Sequence, residues 1–200
     1  MKILAFADLH ANIIAYEKIK KKVKKEKPDM IFCAGDVSFF EQYLDAVLKK
    51  LNELKKPVFI IHGNHETGPV MKKLCQRFPY LIYAHNKVTS VGPYTIIAHG
   101  GGGFYSGKSK DKDFDRLIKT NRKKLKGKLI LLTHAPPKNT KLDRLTWAGH
   151  VGCASYTDFI KKHKPVIALS GHLHENFRTK QKKGKTIICN PGPEGMVFKI

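Results

Sequence analysis

Residues 2–10 read Lys2-Ile3-Leu4-Ala5-Phe6-Ala7-Asp8-Leu9-His10. The apolar run is a β-strand by pattern, and it stops at the polar pair Asp8 and His10. It is too short for the apolar region of a signal peptide. No stretch of about 18 apolar residues occurs elsewhere. The sequence therefore predicts a cytoplasmic protein that does not span a membrane.

Working outward, residues 12–25 carry Ile13, Tyr16, Ile19 and Val23 at helical spacing. Pro28 breaks the chain before a second strand at 30–33. Residues 41–54 form a second helix striped by Leu44, Val47, Leu48 and Leu51. Pro57 introduces a third strand at 58–61. This β-α-β-α-β order implies right-handed crossovers and a parallel sheet. The pattern then changes. Short strands are predicted at 81–84, 87–91, 94–99 and 128–133, with helices at 113–125 and 156–162 and a strand at 166–170. The tail at 177–182, 185–190 and 196–199 reads as an antiparallel meander. Parallel units and a meander in one chain of 200 residues predict one domain, 1–200, of two packed mixed sheets with helices outside.

Cys33, Cys75, Cys153 and Cys189 are dispersed and form no Cys-x-x-Cys pair. They read as buried small hydrophobes in a reduced compartment. The formal charge is +22, carried mostly by lysine. Such a field attracts anionic substrates and nucleic acid alike. Arginine is scarce, however, and runs such as Lys20-Lys21-Lys22 are also what a solvated helix face looks like.

The chemistry sits after the strands. Strand one ends in Asp8-Leu9-His10, strand two in Gly35-Asp36 and strand three in Gly63-Asn64-His65-Glu66. The strand at 128–133 ends in His134, and that at 166–170 in Gly171-His172-Leu173-His174. Ligands of open α/β sheets bind outside the carboxyl ends of strands. Asp, Asn and His are the oxygen and nitrogen donors of divalent metals. They are too many for one tetrahedral ion, and two cations about 3.5–4 Å apart would use them all. Asp36 is the choice for a bridging carboxylate, because strand two adjoins strand one in a simple parallel order. Taken singly, Asp8 and Asp36 also suit a helix cap, and His134 suits a core histidine. His172 and His174 would face the same way on a continuous strand.

Asp-x-His, Gly-Asp, Gly-Asn-His-Glu, a lone His and Gly-His-x-His, in this order from Asp8 to His174, resemble the calcineurin-like metallophosphoesterase superfamily. Asn190-Pro191-Gly192-Pro193 is similar to a turn of its smaller members. The resemblance implies a four-layer α/β/β/α sandwich of two mixed β-sheets flanked by helices. It implies that Asp8, His10 and His174 bind one metal, that Asn64, His134 and His172 bind the other, and that Asp36 bridges them. It makes His65 the general acid or transition-state stabiliser. Glu66 is then either a carboxylate partner for His65 or a cap for the helix that follows.

The expected function is hydrolysis of a phosphate mono- or diester by a hydroxide held between two divalent ions, with Mn, Fe, Zn, Ni and Mg all suited to mixed N/O donors. The expected partner is a small phosphate ester, nucleotides included. A nuclease, suggested by the charge, and a non-catalytic metal-binding scaffold for a partner protein are the alternatives. No family ligand is missing, which argues against the scaffold. Substrate contacts are expected from the glycine-rich stretch around Gly101 and from the long segment after Pro136-Pro137, which carries Lys138, Trp147 and His150.

Overall fold

A computed structural model describes residues 1–107 and 109–200. In chain order the elements are β1 Lys2–Phe6, α1 Ile13–Glu26, β2 Met30–Cys33, α2 Leu44–Asn52, β3 Val58–Ile60, α3 Gly68–Cys75, β4 Leu81–Tyr83, β5 Lys87–Val91 and β6 Tyr94–His99. They continue with α4 Lys112–Thr120, β7 Lys128–Thr133, β8 Arg144–Leu145, β9 Gly149–His150, α5 Ala154–His163, β10 Ile167–Leu169, β11 Lys180–Lys183, β12 Thr186–Cys189 and β13 Met196–Lys199.

The first sheet has the order β13-β1-β2-β3-β4 and the second β11-β12-β10-β7-β6-β5. In the first, β1 to β4 are parallel and β13 is antiparallel to β1. In the second, β12, β10, β7 and β6 are parallel, and β11 and β5 flank them antiparallel.

Alternation along β1 shows how the layers form. Leu4 and Phe6 face a core shared with Ala15, Ile19, Leu48, Leu51 and Met71 of the three helices. Ile3 and Ala5 face the opposite way, onto Ile96, Ile130, Ile167 and Leu169 of the second sheet. The outer face of that sheet carries Leu131 and Ala168, which pack on Phe114, Tyr156 and Phe159 of α4 and α5. The period of two in a strand allows one element to serve two cores, and the result is the α/β/β/α sandwich.

Several local expectations are corrected. Asn12 lies outside α1 as its N-cap, its side chain accepting from Ala15 N at 3.0 Å. Ile13, expected on the buried stripe, is half exposed in the first turn. The helix expected from residue 41 starts at Leu44, because Phe40, Glu41 and Tyr43 take left-handed backbone conformations. The helix at 113–125 stops at Thr120 and is followed by a 3-10 turn at Arg122–Lys124. The tail is not a meander. β11 and β12 form a hairpin on the second sheet, while β13 crosses to the first and pairs with β1. Hydropathy alternation gives a strand's faces, not its partner.

All four cysteines are buried and free. Lys20, Lys21, Lys24 and Lys25 lie on the exposed face of α1. No described helix is long and apolar enough to cross a membrane.

Candidate metal centre

The parallel strands β1, β2, β3, β7 and β10 all end at one edge, and the loops after them carry the acidic and histidine residues. These loops adopt strained geometry. Asp8, His10, Asp36 and His172 are non-glycine residues with φ of 55°, 45°, 51° and 71°, a combination that persists only where surrounding structure enforces it.

Two donor groups result. Asp8, His10 and His174 form one; Asp36, His134 and His172 form the other; and His10, Asp36 and His65 link them, the ligand atoms of each triplet lying within 4.8 Å of one another. Asn64 joins the second group, its Oδ1 2.9 Å from His134 Nε2 and 2.8 Å from His172 Nδ1. His172 and His174 are not on a continuous strand. Residue 172 is left-handed and His174 opens a 3-10 turn. The two rings therefore part, one to each group.

The tautomers show that this set suits cations. His10 Nδ1 donates to the Ser38 carbonyl at 2.9 Å, and His134 Nδ1 to the Ala34 carbonyl at 2.8 Å. In the neutral rings Nε2 then bears the lone pair. His10 Nε2 faces His174 Nε2 at 3.3 Å, and His134 Nε2 faces Asp36 Oδ2 at 3.3 Å. Where lone pairs face one another in this way, a proton or a cation must lie between them. Buried His172 Nε2 and His65 Nδ1 also lack hydrogen-bond partners among the described residues. Two divalent ions fit this donor set.

Electrostatics follow from burial and contact. Burial raises Asp8 to about 6, with the like charge of Asp36 adding to the effect. Burial also pushes Asp36 upward, but hydrogen bonding and the charge of His134 outweigh it and hold Asp36 at about 2. The same contact overcomes burial at His134 and raises it to about 9. A proton on His134 thus occupies the position of a cation when no metal is bound. Burial lowers His172 to about 4 and favours its neutral, ligating form.

Close packing holds the loops. A Cβ on Gly63 would come within 2.6 Å of both Asp36 Cγ and His134 Cε1, so a side chain there would displace both. Asn190 is fully buried and donates to the Leu173 carbonyl at 3.1 Å, and Gly192 O accepts from Ala7 N at 3.1 Å. The Asn-Pro-Gly-Pro turn thereby ties the His172–His174 loop to the end of β1. His65 N donates to Asp36 Oδ1 at 3.0 Å, while its Nε2 lies 3.9 Å from Asp36 Oδ2. Glu66 takes neither expected role. Its carboxylate is buried and accepts from Asp36 N, Gly63 N, Ser38 N and Ser38 Oγ at 2.8–3.2 Å. Glu41, not Glu66, meets the start of α3, accepting from Thr67 N and Oγ1.

The expected substrate contacts are only partly brought to this centre. The N–H groups of Gly100 and Gly101 are engaged by His85 Nδ1 and the His62 carbonyl, both at 2.9 Å, which removes them as phosphate donors. Lys138 Nζ donates to the His150 carbonyl and His150 Nδ1 to Asp143 Oδ1, so both residues serve the frame of their own loop. Buried Asp143, which the sequence reading passed over, also accepts from Asn139 N, Thr140 N and Gly152 N. Trp147 is 73% exposed and reaches the centre through Phe104, whose ring lies 5.1 Å from His172. Phe39 and Phe40 beside His65 were also missed. Their signal is two aromatic residues in the loop just after Gly35-Asp36.

Known proteins share this fold. Residues 1–176 match the profile of the calcineurin-like phosphoesterase family. A probable cyclic nucleotide phosphodiesterase of Synechococcus sp. is 26% identical over 187 residues, covering 88% of this chain and 69% of the relative. The crystal structure of TT1561 of Thermus thermophilus superposes with a TM-score of 0.73 at 18% identity, covering 96% of this chain and 90% of the other. That of the phosphopantetheinyl hydrolase of Mycobacterium tuberculosis gives 0.67 at 16%, covering 96% and 88%. Profile and fold agree, and the chain belongs to the calcineurin-like phosphoesterase family.

Proposed function

We propose that this protein is a dinuclear metal-dependent phosphodiesterase acting on nucleotide-like phosphate esters. One observation carries the reading: Asp36 stands between two groups of converging acceptors, its Oδ2 3.3 Å from His134 Nε2 and 3.9 Å from both His10 Nε2 and His65 Nε2. Asp8, His10 and His174 would hold one cation, Asn64, His134 and His172 the other, and Asp36 both. Bound cations of this kind supply Lewis acidity and lower the pKa of water at the centre.

The remaining work falls to the chain. The carbonyls of Ser38 and Ala34 fix the tautomers of His10 and His134, so that their lone pairs stay aimed at the centre. His65 is held by its backbone bond to Asp36 and by the Phe39 ring stacked on it at 4.9 Å. From there it donates a hydrogen bond to a phosphate oxygen and protonates the leaving oxygen. The diester preference rests on the Synechococcus relative, whose name specifies a cyclic nucleotide phosphodiesterase.

The test is metal analysis of the purified protein, then turnover of aryl phosphate mono- and diesters, cyclic nucleotides and single-stranded DNA with added manganese. Asp36→Asn is expected to lose metal and turnover together. His65→Ala is expected to keep the metal and lose about 100-fold or more in kcat. Parent-like hydrolysis by both variants would end the proposal. Preference for DNA, with steep salt dependence, would favour a nuclease.

A further inference from the structure

The metal centre is flanked by two exposed aromatic walls. On one side Phe39 and Phe40 lie 4.9 Å and 4.4 Å from the His65 ring, and Phe39 also meets His10 at 6.1 Å. On the other, Phe104 lies 5.1 Å from His172 and 6.2 Å from Trp147. Each wall thus touches a different donor group. Phe39, Phe40, Phe104 and Trp147 are all more than half exposed, although burying such rings is strongly favoured.

Both walls are built rather than incidental. Phe40, Glu41 and Tyr43 have φ of 50°, 62° and 58°, a conformational cost for non-glycine residues. Glu41 N donates to the His65 carbonyl at 3.2 Å and its carboxylate accepts from Thr67 N, so the first wall is tied to the His65 loop. Trp147 lies in the turn between β8 and β9. Leu145 and Val151 of that hairpin pack on Leu173, between His172 and His174.

A monoester has one organic substituent on phosphorus, and a diester has two. Two walls on different donor groups of one phosphate site suit a diester with a planar group on each substituent. We propose that Phe39/Phe40 and Phe104/Trp147 are stacking platforms for the two bases of a dinucleotide. This rests on the phosphodiesterase reading above and narrows it. Ring faces favour bases, which stack regardless of sequence.

The test compares adenylyl-adenosine with the methyl ester of AMP, which has one base, using manganese-loaded protein. The parent is expected to prefer the dinucleotide about tenfold or more in kcat/KM. Phe40→Ala and Trp147→Ala are each expected to reduce that preference about five- to tenfold through KM. Trp147→Phe is expected to retain it and Trp147→Leu to lose it, separating stacking from bulk. Trp147 is the single tryptophan, so its fluorescence should be quenched by the slowly hydrolysed phosphorothioate of the dinucleotide. Equal kcat/KM for both esters with unchanged fluorescence would overturn the platforms and leave the phosphodiesterase reading standing. No turnover of any diester would overturn both. If the alanine variants keep the dinucleotide preference but no longer sediment with phosphatidylglycerol vesicles, the walls are a lipid-docking surface and the proposal fails.

Discussion

Oε2 of Glu66 accepts the backbone N–H of Asp36, a residue of the candidate metal centre, at 3.2 Å. The carboxylate has no cationic partner among the described residues; its bonds go to three backbone N–H groups and a hydroxyl. It therefore holds the left-handed backbone of Asp36 in place and shapes the centre without facing it.

Glu66→Gln puts an amide NH2 where only acceptors fit. At least one of the two contact points then becomes donor against donor. The expected loss is about 1–3 kcal/mol of stability, with manganese affinity falling about 10- to 100-fold. Thermal melting and metal titration check both. A variant with parent-like metal affinity would show that Asp36 needs no such support.

Metal binding should depend on pH through His134. Ligation needs the Nε2 lone pair, and contact with Asp36 holds a proton there up to about pH 9. That proton must leave. Manganese affinity is expected to rise with pH through the neutral range, approaching about tenfold per pH unit, and to flatten near pH 9. Calorimetry in buffers of different ionisation enthalpy should show proton release at about pH 7. Affinity unchanged across the neutral range would remove His134 from the ligand set.

Asp111 should contribute to stability on the acid side. Its Oδ1 caps α4 by accepting from Phe114 N, and its Oδ2 accepts from the Tyr105 hydroxyl and lies 3.2 Å from His99 Nε2. Burial opposes the charge, but these bonds outweigh it and hold the carboxyl well below its ordinary range. A depressed folded value means stability that is present above about pH 4 and is lost as pH falls towards the folded value. Asp111→Asn is expected to cost about 1–2 kcal/mol at neutral pH, with solvent screening limiting the effect. Its melting temperature should converge on the parent's as pH falls from about 5 to about 2. A constant gap would mean that packing, not charge, is lost.

The clustering of the candidate donor residues was legible because each follows an apolar strand. Asp8, Asp36, Asn64, His134 and His172 stand at strand ends, where parallel topology brings residues far apart in sequence to one edge. The tasks of Glu66 and Gly101 were not legible. Glu66 lies next to His65 in sequence yet turns away to bind Asp36 and Ser38, and Gly101 is claimed by the His62 carbonyl. Hydrogen-bond choices of this kind depend on backbone direction within loops, which residue type does not specify.

Strand and helix periodicity, with the chemical type of the residue closing each strand, were properties of the sequence alone, because burial pattern and donor chemistry are local. The crossing of β13 to the first sheet, the parting of His172 from His174 and the two aromatic walls were decided by tertiary structure. Each depends on which distant segments meet. That choice is made by the packing of whole layers and by left-handed loop conformations that only the assembled fold can enforce.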